Sequence, residues 1–149
     1  MEVKKVLCAV DLEDTIAPSV EYAKMMASMT GASILVAYVI PAHTPYEDVY
    51  LSVNNQPNEV NNPNETIQKS MNALLAEQFA GMDATGVILV GRPSEELVKL
   101  AEEKGASLIV MGTHGRAGFD RLLFGSVAPE VVRAAPCPVM TVRPLMPKK

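Results

Sequence analysis

Short, continuous apolar runs recur along this chain, and segments with helical spacing separate them. Residues 4–11 (KKVLCAVD), 33–40 (SILVAYVI), 85–91 (TGVILVG), 107–112 (SLIVMG) and 138–144 (PVMTVRP) read as strands. Unbroken Val, Ile and Leu, rather than strict alternation, is the mark of a strand covered on both faces. The intervening segments carry the other period. Residues 16–29 place Ile16, Val20, Ala23 and Ala27 at helical spacing, with Thr15 as the expected N-cap and Gly31 as the stop. Asn62, Pro63 and Glu65 resemble a cap, a first-turn proline and the acid of a capping box, opening a helix to about Ala80. Residues 94–104 set Leu97, Leu100 and Ala101 on one face, with Glu95 and Glu96 in the first turn and Lys104 in the last, as the helix dipole favours. A fourth helix is expected from Ser126 to about Ala135.

Strands alternating with helices build βαβ units and a parallel sheet. Right-handed crossovers then leave few topologies. The expectation is an α/β, doubly wound (Rossmann-like) sheet of five parallel strands in the order 3-2-1-4-5, with four helices. The 149 residues are expected to form a single domain, 1–149, with no internal repeat. In that order the first and fourth strands are neighbours, and ligands bind outside the carboxyl ends of the strands where the winding reverses. Asp11 ends the first strand and Gly112 the fourth. One connection, residues 41–61, is long for a compact domain and rich in Pro and Asn; it reads either as a surface loop or as a flap near the site.

Composition narrows the function classes. With 48% apolar and 20% charged residues the chain is globular, and a net charge of −4 argues against a broad nucleic-acid or lipid footprint. No apolar run approaches the roughly 20 residues that span a bilayer. The N-terminal apolar run stops at Asp11 with no cleavage-like site, so the expectation is a cytoplasmic protein without a membrane or nucleic-acid partner. Cys8 and Cys137 have neither CxxC spacing nor a histidine placed for zinc, and read as inert thiols.

The stretch GTHGRAGFDRLLFGS, residues 112–126, leaves the fourth strand and enters the last helix through glycines at 112, 115, 118 and 125. A helix N-terminus offers unpaired N–H groups and a positive dipole end, a ready anion site. Gly125 would let a phosphate approach bare backbone, Ser126 would cap the helix, and Gly112 and Gly115 would turn the chain without a Cβ in the way. Tight-turn glycines with an ordinary capping serine are the alternative on spacing alone. Neither GxxxxGK[ST] nor a GxGxxG at the end of the first strand is present. The pattern is G-x2-G-x9-G-[ST], which chance would place in roughly 1% or fewer of chains this long given average glycine usage.

GTHGRAGFDRLLFGSVAPEVVRAAPCPVMTV resembles the C-terminal signature of the universal stress protein family, and VLCAVDLED, GRPSEEL and SLIVMGTHG extend the resemblance over essentially the whole chain. The resemblance implies a five-stranded α/β domain that dimerises, of the subgroup that binds ATP, matched at Gly112, Gly115, Gly125 and Ser126. By the same resemblance Asp11 would sit near the ribose and phosphates with a divalent ion, magnesium or manganese. Ala9, Val10, Val39 and Met111 would line the adenine pocket, and Val127 and Ala128 would add backbone N–H groups to the phosphates. Ala128 departs from the pattern, since a hydroxyl residue there would supply one more hydrogen bond.

No catalytic residue is expected. His114 lacks a partner spaced to orient it, Arg116 and Arg121 read as solvated unless the loop folds over phosphates, and no acid or base is placed for fast phosphoryl transfer. The leading expectation is a nucleotide-dependent regulatory protein that dimerises through strand 138–144 and acts on an unidentified protein partner. A slow ATPase or adenylate-handling enzyme, and a dimeric stress protein without nucleotide, are the alternatives. The methionines of KMMASM read as packing, with a dimer or partner surface next.

Overall fold

The computed structural model describes residues 2–12, 17–42, 63–113 and 127–143. In chain order it contains β1 (Lys5–Ala9), α1 (Pro18–Thr30), β2 (Ser33–Pro41), α2 (Pro63–Gln78), β3 (Ala84–Gly91), α3 (Pro93–Lys104), β4 (Leu108–Gly112), α4 (Val127–Ala134) and β5 (Val139–Val142). The five strands form one sheet in the order β3-β2-β1-β4-β5, every pair parallel. This is the doubly wound fold with four helices expected from the sequence.

Both faces of the sheet are covered, which is why the strands read as continuous apolar runs. Alternate residues feed two separate cores. Val6, Cys8, Val36 and Val110 pack on one face with Val20, Ala23 and Ala27 of α1 and Ile67, Met71 and Leu74 of α2. Leu7, Ala9, Leu35, Ile109 and Met111 pack on the other with Leu97, Leu100 and Ala101 of α3 and Val127, Ala128 and Val131 of α4. Each fully buried leucine, such as Leu7, contributes about 1.5–3 kcal/mol through burial. Cys8 lies wholly inside, and burial pushes its thiol up to about 12. Desolvation raises the Cys137 thiol as well, so neither cysteine is poised to react.

Several element ends differ from the sequence expectation, among them β1, which stops at Ala9 and not at Asp11. Helix α1 starts at Pro18, with Ala17 as an N-cap that makes no side-chain hydrogen bond, rather than at a Thr15 cap. Proline supplies a preset φ at the first helical position and needs no N–H partner there, and it holds the preceding residue extended. At the other end Gly31 takes φ 74° and donates its N–H to the Ala27 carbonyl, as expected of a helix stop. Strand β5 is shorter than 138–144, because β4 offers partners only from Ile109 to Gly112. Thr15, Ile16, Asn62 and nearly all of 41–61 lie outside the described residues. Among the described residues no helix is long and apolar enough to cross a membrane.

Helix α2 seats on β3 through one close approach. A Cβ built on Gly86 would stand 2.6 Å from Met71 Cγ, 2.9 Å from its sulfur and 3.1 Å from Leu75 Cδ1. Met71 is fully buried, so the clash cannot be relieved by swinging a surface side chain aside. We expect Gly86→Val to lower the free energy of unfolding by about 1–3 kcal/mol, the usual cost of overpacking. Urea denaturation followed by circular dichroism measures it; an unchanged midpoint would show that α2 shifts off β3 freely.

Candidate functional site

The winding reverses between β1 and β4. From β1 the chain moves out through β2 to β3, then crosses back through α3 to β4 and β5 on the other side. Val6, Leu7 and Cys8 pair with Leu108, Ile109 and Val110, and continuing that register sets Val10 beside Gly112. Beyond β1 the Val10 N–H donates to the Ala37 carbonyl at 2.9 Å, so the ladder to β2 outlasts the pairing with β4, which ends at Cys8. Strand β4 runs on to Gly112, and the Thr113 N–H then donates to the Val142 carbonyl at 3.0 Å. The two strand ends therefore diverge, one toward β2 and one toward β5, and leave a crevice at the carboxyl edge where such sheets take ligands.

Ala9, Val10, Ala37, Tyr38 and Val39 line a narrow apolar cleft at this edge, closed on its other side by Pro93 and Leu97 of α3. Three residues assigned to an adenine pocket, Ala9, Val10 and Val39, thus come together. Met111 is fully buried in the core of the same sheet face and does not line the cleft. Asp11 and Gly112 are partly exposed at the rim. Val127 and Ala128 open α4 with their side chains buried against the sheet, so their backbone N–H groups lie in the first turn where intrahelical acceptors are lacking. Pro129 follows them and brings no N–H. Gly115, Gly125 and Ser126, with His114, Arg116 and Arg121, lie outside the described residues.

A polar cluster beside the cleft was not anticipated from the sequence. Glu130, in the first turn of α4, accepts a short hydrogen bond from the hydroxyl of Ser94 and one of 3.0 Å from Arg92 Nη2. Arg92 also stands 3.6 Å from Glu95. Ser94 is buried, one of few buried polar side chains among the described residues. The Ser94 hydroxyl, then the charge and hydrogen bond of Arg92 and the charge of Arg133, hold the Glu130 carboxyl below the usual carboxylate range against the opposing effect of desolvation. In sequence Ser94 looks like a polar residue at a helix start and Glu130 like a first-turn acid. Nothing in a one-dimensional pattern joins residues 36 apart.

Among the described residues no group of three or more acidic, histidine or cysteine side chains could hold a metal by itself. Asp11 at the rim suits the other mode, in which a magnesium-like ion keeps several waters and is shared by one carboxylate and a ligand's phosphates.

The model of the universal stress protein family matches residues 2–143. A universal stress protein of Thermus aquaticus is 32% identical over 148 residues, covering 94% of this chain and 98% of its own. Universal stress protein MJ0577 of Methanocaldococcus jannaschii is 28% identical over 153 residues, covering 94% of each chain. The solved structure of MJ0577 superposes with a TM-score of 0.74 over 99% of this chain and 100% of that one, at 26% identity. A universal stress protein of Archaeoglobus fulgidus, solved in complex with dAMP, shares the fold with a TM-score of 0.58 at 24% identity, over 95% and 98% of the two chains. The reversal between β1 and β4, the cleft above it and a family match spanning nearly the whole chain lead to one conclusion: this chain belongs to the universal stress protein family.

Proposed function

We propose that this universal stress protein binds ATP and acts as a nucleotide-dependent regulatory dimer in the cytoplasm, hydrolysing its ligand weakly at most. The observation that carries the reading is the apolar cleft that Ala9, Val10 and Val39 form with Pro93 and Leu97 of α3, at the carboxyl end of β1, the strand that pairs with β4 across the reversal. The slot is narrow, about 20 Å³, so an adenine ring would part the Pro93 and Leu97 wall from Val39 to enter it. Asp11 is within the same rim to meet the ribose or a magnesium or manganese ion bridging to the phosphates. The phosphates take the N–H groups of Val127 and Ala128 at the positive end of α4, with Gly112, Gly115, Gly125 and Ser126 supplying bare backbone and a hydroxyl. A family relative of the same fold holds dAMP, which supports an adenine nucleotide as the ligand class.

Dimerisation belongs to the same reading. Among the described residues β5 ends the sheet. Pro138 and Val142 direct their carbonyls to β4, receiving Ile109 and Thr113 N–H at 3.0 Å each. Backbone groups alternate sides along a strand, so Val139 and Thr141 direct theirs to the open edge. An edge with β-branched residues and no charge until Arg143 is poorly defended against pairing, and a two-fold axis would pair it antiparallel with its own copy. Gly112 is level with Val142, so the nucleotide end of β4 lies one strand from that edge.

Two experiments test the reading. Gly125→Val puts a branched side chain where a phosphate would lie; in calorimetry ATP binding by the wild type should be measurable and that by the folded variant lost, at least a 100-fold change. Equal affinity in both would remove the phosphates from this turn. Thr141→Pro deletes an outward N–H without touching the β4 ladder. Sedimentation velocity at micromolar concentration should show a dimeric wild type and a variant shifted toward monomer, and a monomeric wild type would end the edge-pairing model.

A further inference from the structure

The cluster at Glu130 has no part in the nucleotide contacts just proposed, yet it joins the two helices that carry them. Helix α3 enters at Arg92, which serves as N-cap with φ −83° and ψ 117° and makes no side-chain cap of its own. Its carbonyl accepts the Glu96 N–H at 2.9 Å, and its guanidinium is left to reach across to α4. One residue on, Pro93 turns toward the cleft, as does Leu97. Ser94, between them, is buried and gives its hydroxyl to Glu130. The first turn of α3 therefore has two sides: one walls the cleft and the other holds α4. Helix α4 is arranged likewise. Val127 and Ala128 head its first turn against the sheet, and Glu130 in the same turn faces α3.

We infer that Glu130 is a positioning residue of the nucleotide site: by accepting Ser94 and Arg92 together, it sets where the first turn of α4 stands relative to the cleft wall formed by α3. The inference rests on the nucleotide reading above and adds to it a device for fixing the span between base and phosphates. A ligand that reaches from the cleft to α4 senses that span; one confined to the cleft does not. The arrangement also disposes of an electrostatic difficulty. A free carboxylate in the first turn of α4 would repel phosphate at the same helix end. Here its charge is turned sideways and matched by Arg92, with Arg133 adding positive charge from the next turn. Glu95, Lys99 and Glu102 face the same groove between the helices, so the surroundings hold both signs, and among the described residues the hydrogen bonds from Arg92 and Ser94 give Glu130 its direction. A carboxylate serves this better than an amide, because it accepts from both donors at once without offering a proton to either.

The test compares a ligand that spans the two helices with one that does not. Wild type, Glu130→Gln and Ser94→Ala are titrated with ATP, and adenosine is measured by competition against it, while thermal melting without ligand confirms that each variant is folded. We expect ATP to bind each variant about tenfold more weakly, the scale of one charge-assisted hydrogen bond, with adenosine affinity held within about twofold. Ser94→Ala keeps the Glu130–Arg92 contact, so it stands as the independent check should Glu130→Gln melt below the assay temperature. An unchanged ATP affinity in both folded variants overturns the inference and leaves the nucleotide reading intact. Equal weakening of ATP and adenosine also overturns it, since that is the result of a tie that merely stabilises the fold. A wild type with no affinity for ATP overturns the nucleotide reading itself, and this inference with it.

Discussion

Strand β1 has no free edge and no free face. It is paired on one side by β2 and on the other by β4, and Val6, Leu7 and Cys8 are fully buried between the helix layers. Every hydrogen-bonding group of such a strand must be met within the protein, since one left unpaired in an apolar interior costs about 1–3 kcal/mol. Its pairing with β4 ends at Cys8, while the ladder to β2 goes on through Ala9 and the bond from the Val10 N–H to Ala37. Asp11 then stands at the rim, and β4 ends at Gly112, level with Val10 when the register of the pair is continued. The crevice is thus a consequence of how the central strand ends, and it exists whatever side chains later decorate it.

Two helices from the far half of the chain finish the site because the second winding lays them on one face. α3 and α4 share the core of Leu97, Leu100, Val127 and Val131 with Leu7 and Ile109. Apolar packing holds them against the sheet but is tolerant of small slides, since dispersion and burial are without direction. A buried hydroxyl and a guanidinium converging on one carboxylate are directional. The Ser94–Glu130–Arg92 cluster therefore does what the shared core cannot, and fixes the position of one helix start against the other.

Much of this was readable from residues alone, and the reasons are specific. Continuous apolar runs marked doubly covered strands, and Gly31 marked the end of α1 because a left-handed residue there is almost free only for glycine. Strand order alone places Asp11 and Gly112 at the rim, whereas Ala9, Val10, Val39 and Met111 are assigned to a pocket only by family resemblance, and of these Met111 stays in the core away from the cleft. The errors were local choices between rival signals. Thr15 is a better capping side chain than Ala17, but Pro18 decided the start through its backbone. Pro138 and Arg143 looked like part of β5, but a strand is only as long as its partner, and β4 ends at Gly112. The Glu130 cluster was out of reach for a different reason. It depends on the distance between two helices that only the packed sheet face determines.

The sheet order also bears on how occupancy of the site would be felt elsewhere. A ligand can move an equilibrium only by the difference in its affinity for two states, and regulatory couplings are typically about 1–3 kcal/mol. Long relays are hard to build at that scale, because each soft contact along the way dissipates part of the difference. Here no relay is needed. Gly112 lies level with Val142, and Thr113 is hydrogen-bonded to it directly. A change at the end of β4 worth one hydrogen bond, about 1 kcal/mol, acts on the strand whose other side is the open edge. The feature that opens the crevice, the reversal that puts β4 and β5 on the far side of β1, is the same one that leaves β5 last in the sheet. The carboxyl end of β4 and the open edge of β5 are therefore separated by a single strand, so a nucleotide bound as proposed would act one strand away from the edge proposed for pairing.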